Sequence, residues 1–182
     1  AALIVEHLDG APLAGANIVG RVLPVSLAPL ASAVDALLAE VKPIVVISLG
    51  LHPGAATLRI ERVGLNVADF ARADNRGVVA RDDVLDSQGV LALAATIPVR
   101  AISDAQLAHG LPSVVSNSAG TYLCNAVLYQ FLAAVKRQQQ TTRCGFIHLP
   151  FLPSQVAKLL SARNEAASGA APGQAQLPSM HL

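Results

Sequence analysis

Short runs of β-branched residues alternate along this chain with longer segments rich in Ala and Leu. The apolar run at residues 44–47 is typical of a strand that is covered on both faces. The pattern predicts strands at residues 17–22, 43–49, 57–64, 113–115 and 143–149, and helices at residues 29–41, 99–109, 120–138 and 153–162. This alternation favours an α/β domain with helices on both faces of the sheet.

Local signals support two of the predicted helices. Apolar positions recur at helical spacing in residues 29–41, and Pro29 suits a first turn. A second apolar stripe ends at Lys136 and Arg137, cations that suit a helix C-terminus.

Residues 161–178 are rich in Ala, Gly, Gln, Ser and Pro, which predicts a mobile surface loop. We expect one domain over residues 1–182.

Composition excludes several function classes. The chain has 182 residues, of which 53% are hydrophobic and 14% are charged, and its formal net charge is +1. No apolar run approaches the ~18 residues that cross a bilayer, and no basic run indicates a nucleic-acid or anionic-membrane partner. Cys124 and Cys144 lack the spacing of a metal site or a disulfide scaffold. With no signal-peptide pattern, a cytoplasmic location is expected.

Cys124 is the candidate nucleophile. A short apolar strand leads into Ser-Asn-Ser-Ala-Gly-Thr-Tyr-Leu-Cys-Asn, residues 116–125, at the start of a predicted helix. Free backbone N–H groups in a first helical turn favour a thiolate and could bind the oxyanion of a tetrahedral intermediate. From this context alone, a buried structural thiol is an equally good interpretation.

His148 and Glu61 are the candidate partners of that thiol. His148 ends an apolar strand, where α/β proteins place their chemistry, and could take the proton of Cys124. Glu61 could accept the other imidazole N–H and select the tautomer. Taken singly, a structural His and a surface Glu paired with Arg59 or Arg62 are the better interpretations. The other histidines, in predicted loops or element ends, are His7, His52, His109 and His181.

Together these segments resemble the pyroglutamyl peptidase I family, also called pyrrolidone-carboxylate peptidase. Residues 116–125 resemble the nucleophile block of the family, residues 146–150 its His block and residues 61–66 its acid block. The order and spacing of the blocks are similar too. Weaker matches at residues 23–25, 74–77, 97–98 and 178–180 extend the resemblance along nearly the whole chain.

The resemblance implies a cysteine peptidase that removes an N-terminal pyroglutamyl residue through a thioester, without a cofactor or metal. It implies a cytoplasmic homotetramer whose subunit is a three-layer αβα sandwich of the phosphorylase/hydrolase type, with a mostly parallel sheet. It assigns the nucleophile, base and orienting group to Cys124, His148 and Glu61, and the pyroglutamyl pocket to Tyr122 and Leu123. Apolar walls suit this neutral lactam, whereas a charged N-terminus would be excluded by its desolvation cost.

Three features depart from the family pattern. The family begins with a strand and a Gly-Phe-x-Pro-Phe loop, and it continues into a helix after Pro-Ser-Met; neither segment is found in residues 1–182. We expect the natural protein to contain both. The Ala-Arg-Ile-Pro of the family is replaced by Phe-Ala-Arg-Ala at residues 70–73, which displaces Arg72 by one position. Arg72 is therefore left out of the predicted catalytic set.

Two other functions remain open at this point. The chain could be a non-catalytic homologue that binds N-terminally blocked peptides, because the front segment of the family is missing. It could also be a Cys-dependent amidase with another acyl specificity. Cys144 begins the strand that carries His148, and we expect it to be a structural thiol.

Overall fold

The computed structural model describes residues 1–169. Its helices and strands, in chain order, are α1 (Ala2–Leu8), β1 (Pro12–Leu13), β2 (Ala16–Asn17), α2 (Leu30–Val41), β3 (Val45–Leu51), β4 (Leu58–Glu61), β5 (Val63–Leu65), β6 (Ala92–Ala94), α3 (Val99–Ala108), β7 (Ser113–Ser116), α4 (Leu123–Arg137), β8 (Arg143–Leu149) and α5 (Pro153–Gly169).

A four-stranded sheet in the order β3-β8-β4-β7 forms the centre of the fold. Strand β8 pairs in parallel with β3 and antiparallel with β4, and β7 pairs in parallel with β4. The sheet is therefore mostly parallel, in agreement with the predicted α/β class. The short pairs β1–β2 and β5–β6 lie outside it.

Helices cover both faces of this sheet. Helices α2 and α4 pack together over the face that carries Cys144 and Phe146. Helix α3 lies on the opposite face, where the hydroxyl of Ser113 on β7 donates to Ser103 Oγ at 3.3 Å. The result is the predicted three-layer arrangement of helix, sheet and helix.

Helix α4 holds the main core together. Eleven of its fifteen residues are buried. Leu128 and Leu132 of this helix join Leu30 and Leu38 of α2 in one cluster over Phe146. Because burying one such side chain contributes about 1.5–3 kcal/mol, this packing fixes the N-terminus of α4 relative to the sheet.

The predicted strand at residues 57–64 is wrong as a single element. The strand is interrupted at Arg62, whose N–H donates to the Ser116 carbonyl at 2.8 Å and whose own carbonyl accepts from Ala95 N at 2.9 Å. The two halves, β4 and β5, therefore belong to different sheets. Strand β6 and helix α1 were not predicted, and only the first residue of the predicted strand at residues 17–22 is in a strand.

The predicted loop at residues 161–178 is wrong in its first part, because α5 continues through Gly169. Ala162, Ala166 and Ala167 have high helix propensity, and no proline interrupts the segment before Pro172. Residues 170–178 lie outside the described residues, as do His181 and the weak match at residues 178–180. Within residues 1–169, no helix is both long and apolar enough to cross a membrane.

Candidate active site

His148 and Glu61 meet on the sheet face that α4 covers. In the antiparallel register of β4 and β8, Arg59 lies opposite His148 and Glu61 opposite Phe146, so Glu61 and His148 are diagonal neighbours. His148 Nδ1 lies 2.8 Å from Glu61 Oε1, and the two side chains are only 4% and 0% exposed. Because a carboxylate can only accept, Nδ1 donates and Nε2 is the ring nitrogen that can accept a proton.

Cys124 lies in the first turn of α4, beside the same end of the sheet. Tyr122 is the N-cap of this helix, which makes Cys124 its second residue. A Cβ added at Gly50 of β3 would come within 3.0 Å of the Cys124 sulfur, and Gly50 lies opposite His148 in the β3–β8 register. The thiol and the imidazole are therefore brought to neighbouring positions. In the described part of the chain, the His148 ring forms a hydrogen bond with Glu61 and none with Cys124.

Burial of the Cys124 side chain favours its neutral thiol. Burial raises its pKa to about 11, and the negative charge of Glu61 raises it as well, whereas its own backbone N–H and the Arg72 guanidinium act in the opposite direction. The predicted helix-terminus effect is present, but desolvation outweighs it. The backbone N–H at the helix start favours the thiolate, as predicted, but burial favours the thiol more strongly, so that a base is needed to remove the proton during attack.

The two predicted pocket residues lie in a small apolar cluster next to Cys124. Leu123 is buried against Phe70 and Ala80, and Tyr122 packs against this group. The Tyr122 ring lies 4.6 Å from the Phe70 ring, between centroids, and its hydroxyl donates to the Ala73 carbonyl at 3.2 Å. Both predicted pocket residues, which directly precede Cys124 in the chain, therefore belong to one apolar cluster.

Arg72, excluded from the predicted catalytic set, is also close to this cluster. Its guanidinium carbon lies 5.3 Å from the centroid of the Tyr122 ring, within the range of a cation–π contact. Its charge lowers the pKa of Cys124, although less than burial raises it. The displaced arginine therefore still reaches the site electrostatically.

Sequence reasoning missed three neighbours of the triad. The His52 ring meets the His148 ring edge-on, with centroids 5.2 Å apart. Gly50 leaves the space that the Cys124 sulfur and the Phe146 ring occupy. Both residues lie at the carboxyl end of a parallel strand, and that position was the available signal.

The third missed neighbour is Asn125, which follows the nucleophile on α4. Its side chain accepts from Leu65 N at 2.8 Å and donates to the carbonyls of Leu65 and Val67, both at 2.9 Å.

Within the described residues, no group of three or more His, Cys, Asp or Glu side chains could hold a metal ion.

The alternative interpretation of Glu61 as a surface residue paired with arginine is half right. Arg59 Nε lies 3.6 Å from Glu61 Oε1, so the ion pair exists. Glu61 is nevertheless fully buried. A carboxylate in such a place needs hydrogen bonds or charge partners, and His148 and Arg59 supply them.

A family model described as Pyroglutamyl peptidase matches residues 1–168. The chain belongs to the pyroglutamyl peptidase family. Curated relatives agree: it is 39% identical over 153 residues to a pyrrolidone-carboxylate peptidase of Thermococcus litoralis, covering 84% of this chain and 70% of that one. It is 41% identical to pyrrolidone-carboxylate peptidase 1 of Ralstonia nicotianae, covering 84% and 71%.

Solved structures of pyroglutamyl peptidases share the fold. The pyrrolidone carboxyl peptidase of Thermococcus litoralis matches with a TM-score of 0.82 at 38% identity, over 85% of this chain and 70% of that one. A mutant pyrrolidone carboxyl peptidase of Pyrococcus furiosus matches with a TM-score of 0.84 at 33% identity, over 88% and 77%. The predicted family and fold class are confirmed, and as a family member the chain is a cysteine-type hydrolase.

Proposed function

We propose that this chain removes an N-terminal pyroglutamyl residue from peptides through an acyl-thioester on Cys124. The observation that carries the proposal is the buried hydrogen bond between His148 and Glu61, in a chain of the pyroglutamyl peptidase family whose helix α4 presents Cys124 beside that pair. The roles of the three residues follow from their chemistry.

Acylation begins when the Cys124 sulfur attacks the pyroglutamyl carbonyl carbon. His148 Nε2 takes the thiol proton, and Glu61 stabilises the imidazolium through the proton on Nδ1. The start of α4 carries no side-chain cap, so its first backbone N–H groups can donate to the oxyanion. His148 then protonates the leaving amine, the C–N bond breaks, and the shortened peptide departs.

Deacylation reverses these roles. A water molecule attacks the thioester carbonyl while His148 accepts its proton, and the C–S bond then breaks. The proton returns to the sulfur, which restores the neutral thiol and releases pyroglutamate. Because burial raises the pKa of Cys124 to about 11, its sulfur is a good leaving group only when His148 supplies a proton to it.

Selectivity for pyroglutamate is assigned to the apolar cluster beside the thiol. Tyr122 packs against Leu123 and Phe70 in this cluster, and apolar walls suit a neutral lactam. A free N-terminal ammonium would lose its hydration there without a compensating partner. We therefore propose Tyr122 and Leu123 as pocket residues.

A substrate panel tests the activity and its specificity together. Fluorogenic pyroglutamyl, prolyl and glutaminyl amides are assayed in parallel, and we expect cleavage of the first alone. Cleavage of all three would indicate an amidase of broader acyl specificity. Binding of a pyroglutamyl peptide without any turnover would indicate a non-catalytic homologue.

Single substitutions test the assigned roles. Cys124→Ala should abolish turnover while the circular dichroism spectrum and the melting temperature stay near those of the wild type. Cys144→Ala is the matched control, because it removes the other thiol from the described residues and should retain activity. Persistent cleavage by purified Cys124→Ala would refute Cys124 as the nucleophile.

We further propose peptide substrates, a cytoplasmic location and a homotetramer, on the basis of the family resemblance. Both cysteines are free thiols, which fits a reducing compartment. Sedimentation velocity at assay concentration tests the assembly, and a stable monomer there would contradict the homotetramer.

A further inference from the structure

Arg59 touches both halves of the candidate site. Its Nε lies 3.6 Å from Glu61 Oε1, the same oxygen that accepts the His148 proton. Its Nη2 donates to Ser116 Oγ at 2.8 Å. Ser116 ends β7, and its hydroxyl donates to the carbonyl of Ser118 at 3.1 Å, in the turn that leads to α4. One guanidinium therefore joins the acid strand to the nucleophile turn.

Sheet register places the same cation directly beside the base. Arg59 lies opposite His148 in the β4–β8 ladder, and opposite residues on one face have Cβ atoms about 4.5–5.5 Å apart. Arg59 Nε and Glu61 Oε2 are buried without a hydrogen-bond partner in the described part of the chain. Arg59 and Glu61 therefore interact through their charges and not through a hydrogen bond between them.

Local geometry argues against a purely structural arginine. The side chain of Arg59 is 32% exposed, so its desolvation is partial and solvent could satisfy it elsewhere. It turns instead toward a fully buried carboxylate. Within residues 1–169, the titratable or charged groups around the His148 ring and the thiol are Glu61 and Arg59 on β4, His52 after β3, Cys124 on α4, and Arg72, whose charge acts on Cys124.

We propose that Arg59 is a positioning residue for the reaction: its charge holds the Glu61 carboxylate against His148, and its hydrogen bond to Ser116 ties the turn before Cys124 to the acid strand. The proposal rests on the function proposed above. It differs from that function in assigning a fourth side chain, one that acts through Glu61 and Ser116 and not on the substrate.

Arg59 and Glu61 carry opposite charges, so removing each of them should change the protonation of His148 in opposite directions. Removing the cation Arg59 favours the imidazolium, so the protonation midpoint of His148 moves to higher pH. Removing the anion of Glu61 moves the midpoint to lower pH. Solvent screens the partly exposed Arg59, so we expect a modest shift to higher pH when it is removed.

The experiment titrates His148 by NMR in the Cys124→Ala background, which removes coupling to the thiol and needs no turnover. The His148 ring signal is assigned by its loss in His148→Asn. Arg59→Met should raise its midpoint, and Glu61→Gln should lower it. Arg59→Lys keeps the charge and should stay closer to the wild type. Arg62→Met, which removes a neighbouring exposed guanidinium, should leave the midpoint unchanged.

Steady-state kinetics with Cys124 restored completes the test. Arg59→Met should lower kcat by about tenfold with little change in KM, and the acid limb of kcat/KM should move to higher pH. An unmoved midpoint and limb would overturn the proposal, even if activity fell, because a merely structural arginine would do that. If Arg59→Met does not fold, Arg59→Gln and Arg59→Lys replace it. An inactive wild type would refute the proposed function, while the NMR result would still decide the role of Arg59.

Discussion

At the scale of single residues, the Cys124 side chain is under opposing influences. Its position in the first turn of α4 and the charge of Arg72 favour the thiolate, whereas burial and the charge of Glu61 favour the thiol. Burial dominates and brings the pKa to about 11. In the proposed mechanism, Cys124 therefore depends on His148 to remove its proton before it attacks the substrate.

Alkylation by iodoacetamide tests this resting state. Because the thiolate is the reactive form, the rate at Cys124 should be low near pH 7 and rise about tenfold per pH unit above it. The rise should level off only near the pKa of about 11. The rate is followed by mass spectrometry with Cys124→Ala as the control, in which the buried Cys144 should stay unmodified. A plateau below pH 9 would show that the resting thiol is already ionised.

Gly50 gives a second residue-scale prediction. An added Cβ would lie 2.6 Å from Phe146 Cζ and 3.0 Å from Cys124 Sγ, so Gly50→Ala must move one or both. We expect kcat/KM to fall by at least about tenfold, because displacements near 1 Å can cost ~100-fold. The melting temperature and the kinetics of Gly50→Ala test this expectation. The control is Ser48→Ala, which makes a side chain on the same strand smaller. Unchanged kcat/KM in Gly50→Ala would contradict the placement of the sulfur over Gly50.

At the scale of elements, one side chain attaches α4 to the rest of the site. Asn125 is fully buried and forms three hydrogen bonds with the backbone at the end of β5 and just beyond it. The chain there leaves its sheet partner, so the amide satisfies groups that no neighbouring strand reaches. The helix that carries Cys124 is thereby anchored immediately after its nucleophile.

Replacing this amide should be costly. Asn125→Ala removes three hydrogen bonds of about 1 kcal/mol each and leaves buried partners unsatisfied. We expect the free energy of unfolding to fall by about 2–4 kcal/mol in urea titrations. The matched control is Asn75→Ala at an exposed position, which should change it by less than about 0.5 kcal/mol. Equal effects of the two substitutions would mean that the Asn125 network contributes little.

At the scale of the whole molecule, two thiols make the fold sensitive to alkaline pH. Burial raises the pKa of Cys144, like that of Cys124, to about 11 from 9.0. The folded state therefore prefers the neutral thiols. Their contribution to stability is complete below pH 9.0 and is lost as pH rises toward 11.

Urea unfolding across this window provides the measurement. The free energy of unfolding should decrease between about pH 9 and pH 11, and Cys144→Ala should decrease less steeply because one of the two thiols is gone. The comparison uses the slope with pH, since the substitution also changes packing in the core. An equal slope in both proteins would show that Cys144 does not contribute to the pH dependence.

Much of this fold was predictable because its signals are local. The apolar run of β8 gave the bounds of that strand, and the stripe over residues 29–41 gave α2 within one residue. The block around Cys124 placed that residue at a strand–turn–helix junction, which the structure contains. The split at Arg62 was not predictable, since the alternation in β4 and the apolar residues of β5 are both typical of strands, and only pairing with distant strands separates them.

The amino-acid sequence by itself determined the family, the layered α/β class and the three residues proposed for catalysis, because these depend on motif identity and on local apolar periodicity. Only the tertiary structure decided the protonation of the thiol and the nearness of Arg59 and His52 to the base. Burial of the thiol and the register of the strands both depend on contacts between segments far apart in the chain. No local sequence pattern predicts those contacts.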